Sequence, residues 1–139
     1  MTNKPIFADT NLFLRYLTDD VPEQVDAVED LLRQAGKGEI SLIASPLVVA
    51  EIVWTLESYY GEPKEDIKEK ILVILNTPGL EIVNASMIMQ AIRWYVDKNI
   101  DYNDAYHAAW MDGRGIDTVC TFDRKHFSRL GGINVLTPG

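Results

Sequence analysis

Apolar positions along the chain fall into short runs that alternate with helical stripes. Ile6 to Ala8 reads as a short buried strand, and Leu12 to Leu17 as a short helix ending near a solvated turn at Asp19-Asp20. Pro22 suits a first helical turn, and Val25, Val28, Leu31, Leu32 and Ala35 then recur at helical spacing until Gly36 or Gly38 stops them. Ile40 to Ala44 is the second strand. Ser45-Pro46 pairs a capping residue with a first-turn proline, opening a helix that runs to about Tyr60 and Gly61. Pro63 opens the next helix, with Ile67, Ile71, Leu72, Ile74 and Leu75 inward, and Thr77-Pro78-Gly79 breaks it. Leu80 to Val83 is a third strand. Asn84 caps a helix facing inward with Ile88, Ala91, Ile92, Tyr95 and Val96, which Asn99 ends. Asp101 caps the last long helix, which reaches about Arg114, and strands follow at Thr118 to Thr121 and Ile133 to Leu136.

Strands alternating with helices predict a three-layer α/β/α fold around a central parallel sheet of about five strands. The length of 139 residues suits one domain over 1–139, and no repeat or long linker divides it. In such sheets ligands sit beyond the carboxyl ends of the strands.

Four acids stand in that region or close to it. Asp9 follows the first strand and Asp123 follows the fourth. Glu51 falls in the second turn of a helix that leaves a strand, and Asp104 is third in another helix. Glu51 interrupts the run Leu47-Val48-Val49-Ala50-Glu51-Ile52-Val53-Trp54. An unpaired carboxylate is costly to bury, so acids set in apolar sequence point to a shared divalent cation. Each has a simpler local reading too. Asp9 is a good helix cap, Glu51 could face solvent, Asp104 suits a helix dipole and Asp123 could begin a turn. Asn11 and Thr121 flank two of the acids as supporting polar groups. His107 reads as structural packing, His126 as surface loop, and Trp54, Trp94 and Trp110 as core or interface.

The net charge of −8, from 13 Lys+Arg against 21 Asp+Glu, argues against nucleic-acid binding through overall charge and suits a basic partner. It leaves room for a nuclease whose few bases cluster near its acids. The single cysteine, Cys120, reads as a buried, inert thiol in a reducing compartment. Met1-Thr2-Asn3-Lys4 leads into a short apolar run without a signal-peptide pattern, and no run is long enough for a membrane helix. The chain therefore reads as cytoplasmic. The glycine signatures of phosphate and dinucleotide loops are absent, as are a Gly-x-Ser-x-Gly elbow and enough Cys and His for structural zinc.

The segments Ile6-Phe7-Ala8-Asp9-Thr10-Asn11, Ser45-Pro46 through Ala50-Glu51, Asp104-Ala105-Tyr106-His107-Ala108-Ala109 and Val119-Cys120-Thr121-Phe122-Asp123-Arg124 together resemble the PIN-domain ribonucleases, above all the VapC-type toxins of toxin–antitoxin pairs. The resemblance implies a central parallel sheet, a homodimer and Mg²⁺- or Mn²⁺-dependent cleavage of single-stranded RNA. It makes Asp9, Glu51, Asp104 and Asp123 the metal-binding quartet, with Asn11 and Thr121 in support. It also implies an antitoxin, commonly one that sets a basic side chain among the acids. Arg15, Arg124, Lys125 and Arg129 are the candidate RNA contacts. The chain departs from the family at Phe122, where members often carry a basic or small polar residue. The alternatives are a dimeric RNA- or antitoxin-binding module without turnover, and a metal-dependent phosphoesterase or DNA nuclease.

Overall fold

The computed structural model describes residues 4–19 and 21–139, so Met1, Thr2, Asn3 and the Asp20 half of the expected turn lie outside the described residues. The chain divides into two compact units, Met1–Ala85 and Ser86–Gly139.

The first unit runs β1 (Ile6–Phe7), α1 (Thr10–Thr18), α2 (Pro22–Gly36), β2 (Leu42–Ala44), α3 (Pro46–Ser58), α4 (Lys64–Leu75) and β3 (Leu80–Ile82). The strands form a parallel sheet in the order β1-β2-β3, with Ile6 opposite Leu42 and Leu42 opposite Leu80. Its helices begin where the capping chemistry predicts. Ser45 Oγ accepts the Val48 N–H at 3.4 Å and Pro46 takes the first helical position of α3. Pro22 does the same for α2. Phe13, Leu42, Val49, Ile52, Leu56, Ile67, Ile71 and Ile74 are fully buried. Gly79 makes the turn into β3 at φ +79°, where a Cβ would lie 2.1 Å from the carbonyl oxygen of Ala35. Only glycine fits that approach.

The second unit contains α5, which opens at the boundary (Ala85–Asp97), α6 (Tyr102–Gly113), β4 (Thr118–Cys120), a 3₁₀ turn (Phe127–Arg129) and β5 (Asn134–Leu136). Strands β4 and β5 pair in parallel, and Phe127 and Leu130 bury the turn between them. Tyr95 and Tyr102 meet edge to face, with ring centroids 6.1 Å apart. The Tyr102 hydroxyl is buried without a hydrogen-bond partner, and burial, aided by Tyr106, holds its pKa well above the ordinary phenol value.

All five expected strands form, but not as one sheet. Three make the main sheet and two pair separately, so a central sheet of about five strands is corrected to three plus two. Strand count does not fix pairing, and strands of two or three residues carry too little pattern to specify a neighbour. A second correction concerns burial. Ile6 and Phe7 are exposed on β1, which among the described residues pairs with β2 alone, and Cys120 is exposed on β4, so it is not a buried thiol. Trp54 is exposed as well, while Arg114 lies over the Trp110 ring at 4.4 Å. Among the described residues no helix is long and apolar enough to cross a membrane.

Candidate active site

In the first unit, Asp9 is the N-cap of α1. Its extended backbone (φ −84°, ψ 161°) lets its carboxylate accept the Thr10 N–H at 2.6 Å. The capping role is therefore real, and one carboxylate can serve as both cap and ligand. Thr10 follows as the first residue of α1, only 9% exposed, and its Oγ1 donates to Glu51 Oε1 at 2.9 Å. That bond ties the start of α1 to the second turn of α3. Apart from tyrosines, Thr10 is the one buried polar side chain among the described residues. The neighbouring Asn11, the residue singled out from sequence, is exposed.

Glu51 is itself on the exposed side of α3. The helix turns Val48, Val49, Ile52, Val53 and Leu56 inward, and leaves Leu47 and Trp54 outward beside Glu51. The apolar run around Glu51 is thus split between two faces, and burial cost is not what singles this acid out.

In the second unit, Asp104 is the third residue of α6 and half-buried, while Asp123 is exposed in the loop after β4. His126 joins them, with Nδ1 3.0 Å from Asp104 Oδ2 and 3.3 Å from the Asp101 amide nitrogen. The same ring nitrogen donates to the carboxylate when protonated and accepts from the amide when bare. Asp101 holds the expected cap position, yet its side chain makes no capping bond. Thr121 does hold Asp123, its Oγ1 accepting the Asp123 N–H at 3.0 Å. Asp123 Oδ1 in turn accepts the Lys125 N–H at 3.2 Å. One ligand atom each from Asp104, Asp123 and His126 lies within 4.8 Å of the others.

These donors fit a divalent cation. Octahedral coordination at about 2.1 Å sets neighbouring ligands about 3.0 Å apart and opposite ones about 4.2 Å apart, so a small contraction suffices. For Mg²⁺ the two carboxylates would be the natural ligands, with His126 orienting Asp104, since imidazole suits softer metals. His126 and Thr10 are the residues that sequence reasoning missed. His126 carried one signal, its place three residues after Asp123; Thr10 had only its position between Asp9 and Asn11.

The basic candidates are tethered to different degrees. Arg15 Nε donates to Gln24 Oε1 at 2.6 Å, Arg124 Nη1 donates to Thr137 Oγ1 at 3.0 Å, and Arg129 donates to the Asn99 carbonyl. Lys125 extends into solvent.

The PIN-domain family model matches residues 6–133, a span that contains all four acids. The chain belongs to the PIN-domain family. This PIN domain is 28% identical to the VapC ribonuclease of Aquifex aeolicus, with 88% of this chain and 90% of that protein aligned. It is 31% identical to ribonuclease VapC26 of Mycobacterium tuberculosis, over 88% of this chain and 89% of that one. It also aligns with the crystal structure of M. tuberculosis VapC20, a sarcin–ricin-loop-cleaving toxin, at 21% identity and a TM-score of 0.40, covering 94% and 98% of the two chains.

Proposed function

We propose that this PIN domain, a single domain over 1–139, is a divalent-cation-dependent endoribonuclease that cuts single-stranded RNA and serves as the toxin of a toxin–antitoxin pair. The observation that carries the chemistry is the convergence of Asp104, Asp123 and His126 ligand atoms within 4.8 Å. Family membership and two relatives named as ribonucleases support the choice of RNA.

In this reading Asp9, Glu51, Asp104 and Asp123 hold Mg²⁺ or Mn²⁺. Such an ion, when bound, lowers the pKa of water and offsets charge gathering at the phosphate. The chain's own residues supply the positioning. Thr10 fixes one oxygen of Glu51, His126 fixes one oxygen of Asp104, and Thr121 sets the loop that presents Asp123. Asn11 is a further supporting group. Arg15, Arg124, Lys125 and Arg129 contact the RNA backbone. A basic antitoxin suits a chain of net charge −8, and the active form is a cytoplasmic homodimer.

The test is cleavage of structured and single-stranded RNAs by the purified chain in Mg²⁺, Mn²⁺ or EDTA, beside single-stranded DNA and a small phosphoester. Cutting of RNA that needs the metal and vanishes in Asp104→Asn is the expected result. Metal-independent cutting, or preference for the phosphoester, overturns the reading.

A further inference from the structure

Phe122 is 80% exposed, a phenyl ring in solvent on the residue between Thr121 and Asp123 of the candidate site. Burial of such a ring is worth roughly 1.5–3 kcal/mol to a fold, and here the fold gains almost none of it. The backbone beneath the ring is tethered on both sides. Asp123 N–H is bound to Thr121 Oγ1, and Lys125 N–H to Asp123 Oδ1. Beyond them Arg124 Nη1 is bound to Thr137 Oγ1, and Ser128 Oγ to the Arg124 carbonyl. The ring is therefore presented from a fixed base.

Its surroundings differ in charge from the rest of the molecule. Residues 122–129 carry Arg124, Lys125 and Arg129 against the single acid Asp123, a local net charge of +2 in a chain of −8. A bare aromatic face beside a basic stretch matches a polyanion that also offers flat apolar faces. Single-stranded RNA has that chemistry, because its unpaired bases stack on aromatic side chains while its phosphates meet cations.

We propose that Phe122 is a substrate-binding residue that stacks on one unpaired base of the RNA, with Lys125 and Arg124 on the adjoining phosphates. The proposal rests on the ribonuclease reading and adds a base-contacting position to it. The ring takes no part in the chemical step. It sets which nucleotide is held beside Asp123, and hence the sequence or flexibility that the enzyme prefers.

The test uses the full chain and 12-nucleotide unstructured RNAs carrying 2-aminopurine at successive positions, in EDTA so that no cleavage occurs. One position is expected to be quenched on binding by the wild type. Phe122→Ala should lose that quench and bind about tenfold more weakly, and Phe122→Trp should restore both. Lys125→Ala should weaken binding yet keep the quench at saturation. In Mn²⁺, Phe122→Ala should raise KM about tenfold with kcat nearly unchanged, as expected when ground-state and transition-state binding are lost together. Wild-type affinity, quench and KM in Phe122→Ala, with cleavage intact, would overturn the stacking role alone. Dissociation of a dimer by Phe122→Ala with RNA affinity unchanged would overturn it too, by making the ring a subunit contact. A wild-type chain that neither binds nor cuts RNA would defeat the ribonuclease reading and this inference with it.

Discussion

Glu51 and Asp104 both stand on helices, yet the molecule holds them by different means. Glu51 projects from the exposed side of α3, and its carboxylate accepts from a threonine hydroxyl 41 positions earlier in the chain. That contact depends on α1 and α3 packing correctly over the buried core of the first unit. Asp104 occupies the first turn of α6 and meets His126 from the loop that also carries Asp123. Its support is local to the segment 101–126 and half-buried. A carboxylate placed by helix packing should be sensitive to core mutations. One placed by a loop should be sensitive to the loop's own hydrogen bonds.

The largest separation of the two regions comes from Gly79→Ala. Left-handed backbone at this position and a Cβ 2.1 Å from the Ala35 carbonyl oxygen predict a loss of about 3 kcal/mol or more in the first unit. Hydrogen exchange should show protection falling over 42–56 while the amides of α6 change far less. Equal loss across both units would mean that they unfold as one. Next in size is His126. Replacing it with Ala should weaken Mn²⁺ binding about 10- to 100-fold by freeing Asp104, as loss of an orienting partner commonly does. Titration calorimetry reads this directly, and unchanged affinity would remove His126 from the site.

Smaller is Thr10→Val, which keeps the shape and deletes the donor to Glu51 Oε1. It should cost about 1 kcal/mol of stability and several-fold in activity, with Thr10→Ser restoring most of both. The smallest effect is at Tyr102, 3% exposed with an unpartnered hydroxyl. Tyr102→Phe should be neutral or stabilising by up to about 1 kcal/mol in thermal melts. The pKa of this phenol is raised in the folded state, so its contribution is fully present below the ordinary phenol pKa and is lost as pH rises above it. Tyr102→Phe should therefore melt with less alkaline sensitivity above about pH 10 than the wild type.

The two regions also differ in how well the sequence announced them. Capping chemistry is local, so Ser45-Pro46, Pro22 and the place of Asp104 in its helix could be read from neighbouring residues alone. The positions of all five strands followed from apolar runs. Their pairing did not, since backbone bonds between segments 16 to 38 residues apart leave no mark in composition. The burial argument for Glu51 failed because a helix sorts consecutive apolar residues onto opposite faces. Thr10 and His126 escaped notice for a related reason. Their significance lies in a contact with a distant residue, and the local pattern around each looks like an ordinary helix start or loop. Cys120 misled because a three-residue apolar strand can still turn its side chains to solvent.

The proposed function requires that acids supported in these two different ways serve one reaction. Single-turnover RNA cleavage by Glu51→Gln, Asp123→Asn and the double variant, each in Mn²⁺ at fixed concentration, tests it most directly. Groups that act as a unit are strongly non-additive. Each single change should slow cleavage by about 100-fold or more, and the double variant should be within a few-fold of the slower single one. Losses that multiply, or wild-type cleavage in either single variant, would contradict the account.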